Sequence, residues 1–261
     1  SDSQACLQWN GGDLVVAIGG TLSGPDLSGG VTYGAAVTII GGNAGTFTNN
    51  GSVASGVAGV ENRRTISGIV NNGILSAQTA GINNYESLGF IENSGTIIST
   101  TQDAIFNQGP LGTISNSNII TAKRNAINNT GSIGAIFNSG TIKSSDYEAI
   151  YNAGTIGTIS NSGLIQSEND FAIKNESTEA LIITNSGTIA GTIGYDGSSI
   201  HGAMTISGGA DDSKYGLLTG RGGTTDGMDV GKILHAFADL HFTSGYLLLN
   251  DHINAGSYSV I

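Results

Sequence analysis

Cysteine is almost missing from this chain. Cys6 stands alone among 261 residues, so no disulfide closes within it and no cysteine-rich metal centre is available. That scarcity suits the cytosol, and equally a chain that crosses a periplasm without being locked by a bridge. Proline is also scarce, at 2, and charged residues make up only 11%. A disordered low-complexity chain would carry more of both and fewer β-branched residues. Basic residues number 9 against 20 acidic ones, a formal net charge of -11. Nucleic acid and anionic lipid both need a basic face, so the charge balance argues against either as a partner. No apolar run approaches the roughly 18 residues of a membrane-crossing helix. The polar opening, SDSQACLQWN, has no signal peptide and reads as a mature terminus after cleavage.

What fills the chain is Gly, at 42, with Asn, Ser, Thr and Ile, and above all one phrase. IFNSGTIKS (136–144) returns as IENSGTIIS (91–99), ISNSGLIQS (159–167) and ITNSGTIAG (183–191). Its Asn marks a column: Asn49, Asn71, Asn93, Asn116, Asn138, Asn161 and Asn185, with steps of 22, 22, 23, 22, 23 and 24 residues. A second column, Asn62, Asn84, Asn107, Asn129, Asn152 and Asn175, keeps the same period in the phrase A-I-x-N. Repetition at one period in two columns is the signature of a solenoid with 22–23 residues per coil.

Apolar residues keep the same time. Two places before the first column stand Phe47, Ile69, Ile91, Ile114, Ile136, Ile159 and Ile183, and four after it Val53, Leu75, Ile97, Ile120, Ile142, Ile165 and Ile189. Residues two apart share a strand face, so Ile-x-Asn points Ile and Asn inward together. Short strands of this kind close a core only by stacking, each aliphatic on its equivalent roughly 4.8 Å away. The inward Asn residues then need partners, which a ladder of side-chain amides up the stack supplies. Two places after the first column come Gly51, Gly73, Gly95, Asn118, Gly140, Gly163 and Gly187. Gly and Asn accept a left-handed backbone most readily, so a bend with positive φ is expected at each corner.

The pattern predicts an all-β, three-sided parallel β-solenoid in three stretches. Residues 1–45 form an N-terminal cap or first coils, 46–191 the regular repeats, and 192–261 an irregular continuation with a loop insertion. The chain ends in a strand-like run without a polar closing cap, as a fragment of a longer solenoid would.

The phrases AIYNAGTIGTISNSGLI (149–165) and FTSGYLLLNDHINAGSYSVI (242–261) resemble the passenger domains of Gram-negative autotransporters, closest to the self-associating adhesins. The resemblance covers about 46–190 by repeat and 240–261 by local phrasing, with a longer coil than many of those adhesins use. It implies a right-handed parallel β-helix exported to the cell surface. It also implies a signal peptide removed and a C-terminal outer-membrane β-barrel beyond this chain. The implied activities are cell aggregation, biofilm formation and attachment to host cells.

Chemistry is thinly represented. GGADDSKYG (208–216) is a single copy of something like a calcium-binding nonapeptide, a signal that needs tandem copies, and reads as a solvated loop. In ILHAFADLHF (233–242) alternation puts His235, Asp239 and His241 on one strand face, although a helical stripe of Ile233, Leu234, Phe237 and Leu240 fits as well. No metal, cofactor or catalytic residue is assigned, and no enzymatic activity is expected. The alternative of a polysaccharide lyase or tailspike-like glycosidase would need paired carboxylates facing one another in a cleft.

Recognition on a solenoid belongs where the coils differ. One loop column before A-I-x-N holds Asp103, then Lys123 and Arg124, then Asp146, Tyr147 and Glu148, then Asn169 and Asp170. These stacked charges are the expected surface for homotypic, low-affinity, multivalent association with identical chains on neighbouring cells. Host glycans or matrix proteins are the alternative partners.

Overall fold

The computed structural model describes residues 7–24, 34–41, 44–195, 197 and 201–260; Cys6 lies outside them. The described residues contain no helix. Every pairing between strands is parallel, and each strand bonds to its equivalents one coil before and one coil after. The product is a parallel β-solenoid with three faces.

The first face stacks the strands Ala44–Asn49, Ile66–Asn71, Leu88–Asn93, Pro110–Asn116, Ser132–Asn138, Thr155–Asn161 and Leu181–Asn185. Their register aligns like with like: Ile69 on Ile91, Ile114 on Ile136, Asn138 on Asn161. The second face carries short strands such as Ile74–Ala77, Thr96–Ser99 and Thr141–Ser144, with Leu75, Ile97 and Ile142 pointing inward. The third face runs through Ala58–Asn62, Ala80–Asn84, Asp103–Asn107, Ile127–Asn129 and Ile150–Asn152. Its inward column Val60, Ile82, Ile105, Ile127, Ile150 and Ile173 is fully buried. The three inward columns meet in one continuous core. A side chain that fits in one coil fits in the next, so nearly the same aliphatic recurs throughout.

Both Asn columns form the ladders that the spacing predicts. Asn49 Nδ2 donates to Asn71 Oδ1 at 2.8 Å, and the chain of donations continues through Asn93, Asn116, Asn138 and Asn161 to Asn185. The second ladder climbs from Asn62 through Asn84, Asn107, Asn129 and Asn152 to Asn175. Most inner amides have further acceptors: Asn93 Nδ2 also reaches the carbonyls of Gly95 and Ile119, both at 3.0 Å. The ladders therefore satisfy polar groups that are at most 2% exposed, up to Asn175, whose Nδ2 at the end of the second ladder has no partner.

The corner glycines are a correction. Positive φ occurs at Gly12, Gly19, Gly34, Gly191, Gly194, Gly223 and Gly245, and at none of the corner column. The reason for Gly there is stacking. A Cβ on Gly73 would overlap the carbonyl oxygen of Gly51, and one on Gly140 that of Asn118. Where Asn118 replaces Gly, the following amide is held farther off: Ile119 N–H reaches Gly95 O at 3.2 Å, against 2.8 Å for Thr96 N–H to Gly73 O.

Beyond 192 the columns continue in less regular form. Strand Met204–Ser207 stacks on Leu181–Asn185, and Gly231–Phe242 bonds to the final strand Asp251–Val260. Gly231–Phe242 is a strand, which settles the ambiguity between strand and helix at 233–242.

Candidate functional site

The variable loop column lies where the second face turns into the third. Lys123, Arg124, Asp146, Tyr147 and Asn169 are exposed, and Asp170 is half-buried. They interlock from coil to coil. Lys123 Nζ stands 4.0 Å from Asp146 Oδ2, and the Arg124 guanidinium lies 5.6 Å from the Tyr147 ring centroid. Asn169 Nδ2 donates to the Ser145 carbonyl at 2.6 Å, and Ser167 Oγ donates to the Tyr147 carbonyl at 2.6 Å. The result is a ridge tied to its own rod, with charges matched partly within it.

Asp103 and Glu148 do not belong to that exposed ridge. Each is only 6% exposed. Ala104 and Ile105 both enter the core, as do Ala149 and Ile150, so the alternation breaks at this corner; Asp103 and Glu148 stay on the outer side and are covered there by neighbouring coils. Asp103 Oδ2 accepts from Asn128 Nδ2 at 2.7 Å and Oδ1 from the Asn125 amide at 3.1 Å, with Arg124 Nε 3.8 Å away. Glu148 lies 3.7 Å from Lys174 Nζ. Burial pushes both carboxyls above their ordinary pKa, against the pull of these donors and cations.

Beside the ridge, the outward column of the third face reads Glu61, Asn83, Phe106, Asn128, Tyr151 and Lys174, each stacked on the next. Amides thus alternate with rings. Tyr85 meets Phe106 edge to face, centroids 6.5 Å apart and planes at 84°. Arg63 covers Tyr85 at 5.3 Å and pairs with Glu61. Tyr151 donates to Glu176 at 2.7 Å, and its phenol is pushed up to about 12 by burial and by that carboxylate. Between Tyr85, Phe106, Asp103, Arg124 and Asn128 lies an open hollow of about 370 Å³. The loop-column reading missed this hollow because it treated Asp103 as a surface charge and did not weigh the x of I-x-N.

The other candidate motifs are not assembled. Asp211 accepts from its own neighbour Ser213, at 2.9 Å from the amide and 2.6 Å from the hydroxyl, as a local turn does. His235, Asp239 and His241 do not share a face, because the register shifts between His235 and Asp239 where the strand passes from the third face to the first. His235 is buried, and burial together with nearby His201 lowers its pKa. His241 pairs instead with Ser259 at 2.7 Å, and Asp239 with Ser257. Among the described residues no three His, Cys, Asp or Glu side chains converge as a metal centre.

No protein-family model, curated protein or solved structure matches this chain.

Proposed function

We propose that this solenoid is an adhesive rod of a bacterial cell surface, of the autotransporter passenger type, whose ridge binds the ridges of identical rods. The observation that carries it is the ridge itself. Lys123 and Arg124 in one coil are followed by Asp146, then by Asn169 and Asp170, at one-coil steps on a rigid scaffold. An antiparallel second copy presents acidic coils to basic ones, so pairs such as Lys123 and Asp146 exchange partners between rods. Each exposed pair contributes about 0–1 kcal/mol. Many weak pairs along two rods, or between many rods on two cells, sum through effective concentration. In this reading the membrane anchor is a separate β-barrel; no helix among the described residues is long and apolar enough to cross a membrane.

A glycosidase reading fares worse on geometry. Asp103 and Glu148 lie on one wall, two coils apart along the same column with Asn125 between them, rather than on opposite sides of a cleft.

The test is sedimentation of the purified chain at rising concentration, with two charge-reversed forms: Lys123→Glu with Arg124→Glu, and Asp146→Lys with Asp170→Lys. Wild type is expected to associate, each reversed form to stay monomeric, and their mixture to recover association. A wild type that remains monomeric, or reversed forms that associate as it does, removes the proposal.

A further inference from the structure

We propose that the hollow framed by Tyr85, Phe106, Asp103 and Asn128 binds a neutral sugar unit of a linear glycan. The site lies beside the exposed ridge, shares Arg124 with it, and does not depend on self-association.

Its first support is an unpartnered acceptor. Asn128 is 6% exposed and gives its Nδ2 to Asp103, while its Oδ1 has no hydrogen-bond partner. That oxygen is closed to solvent, so a ligand hydroxyl reaches it only by displacing the side chain over it; the bond then formed gains more than one to a solvated group, because a buried unpaired carbonyl is costly. The second support is the wall. Tyr85 and Phe106 present ring faces and edges held in a fixed T-shaped pair, a surface suited to the C–H face of a pyranose. The third is charge. Asp103 is balanced by Arg124 at 3.8 Å, and Glu61 by Arg63. Within the hollow an anionic ligand meets the Asp103 carboxylate and a cationic one the Arg124 guanidinium, so a neutral polyol is the class that fits. The volume, about 370 Å³, falls within the range of small-molecule sites.

A linear polymer is favoured over a free sugar by the lane in which the hollow sits. Phe106 and Tyr151 occupy the same outward column with Asn128 between them, so the ring platforms recur about 9.6 Å apart, two strand spacings. An extended glycan places alternate sugars on successive rings. A larger recess, about 770 Å³, is less suited: its floor is the backbone of Gly89, Gly112, Gly134 and Gly157, with few side-chain polar groups.

Isothermal titration of the purified chain with cellohexaose and chitohexaose tests this, with a heparin-derived hexasaccharide as the anionic comparison. A neutral hexasaccharide is expected to bind. Phe106→Ala and Asn128→Ala are each expected to weaken it about tenfold, and Asp146→Lys with Asp170→Lys to leave it unchanged. Tyr85→Leu, checked for folding by circular dichroism alongside the others, supplies a second ring variant if Phe106→Ala fails to fold. Absence of neutral binding, preference for the heparin fragment, or affinity indifferent to every folded hollow variant overturns the assignment. Because Asp146 and Asp170 lie outside the lining of the hollow while Arg124 belongs to it, the Asp146→Lys with Asp170→Lys form is the one that reads loss of self-association separately from loss of sugar binding.

Discussion

A carboxamide inside an aliphatic core is tolerable only when both its ends are used, and here the neighbouring coil uses them. Asn116 Oδ1 accepts from Asn93 at 2.7 Å while its Nδ2 donates to Asn138 at 2.8 Å, so the cost of burial is shared up the column. The corner glycine solves a different problem at the same contact, the approach of one coil to the carbonyl of the last. These two demands separate by substitution at Gly140, which stacks on Asn118. If crowding is the cause, Gly140→Ala and Gly140→Asn both lose about 1–3 kcal/mol in urea unfolding. A need for left-handed backbone would spare Asn. Near-wild-type stability of Gly140→Asn beside a damaged Gly140→Ala would restore the conformational explanation.

The strand Asp251–Val260 carries a charge problem of its own at its first residue. Both Asp251 carboxylate oxygens are buried, and its pKa is pushed up to about 7 by burial, against the pull of the Gly231 amide and with a further push from the nearby Asp229 carboxylate. The folded protein therefore binds this proton more tightly than the unfolded chain does, so stability rises as pH falls from about 8 through the folded value towards 4. The full difference is on the order of 4 kcal/mol. Asp251→Asn is expected to raise the melting temperature near pH 8 and to flatten most of the slope between pH 8 and 5. A mutant whose melting temperature tracks wild type across that span rules this out. At the scale of elements, coil length, inward columns and ladders were legible, because each coil repeats the same residues at the same step. What depends on contacts between coils was not. Gly73 looks the same in sequence whether its backbone or its neighbour demands glycine. Asp103 looked like a loop charge, because the sequence does not show that Asn128 and Arg124 of the next coil cover it. The hollow required knowing that Tyr85 and Phe106, from adjacent coils, meet edge to face.

At the scale of the molecule, stability is close to a sum of coil and interface terms, since each strand bonds mainly to its equivalents. A solenoid so built should tolerate removal of one whole period and reject a fraction of one. Deleting 72–93 joins Asn71 to Ser94, removes the 22-residue step between Asn71 and Asn93, and lets Asn71 donate to Asn116 with both ladders unbroken. The shortened chain is expected to keep its β-sheet circular dichroism and cooperative melting, at a modestly lower temperature. Deleting 72–82 instead puts Asn71 out of phase, stacks polar residues on the aliphatic column and should prevent folding. The same whole-coil deletion divides the two binding proposals. It leaves Lys123 to Asp170 stacked as before and takes away Tyr85, so self-association should survive while affinity for the neutral hexasaccharides falls. Unfolding of both deletions alike would mean that the coils are not interchangeable units, and the stacking of equivalent residues would no longer account for the stability of the rod.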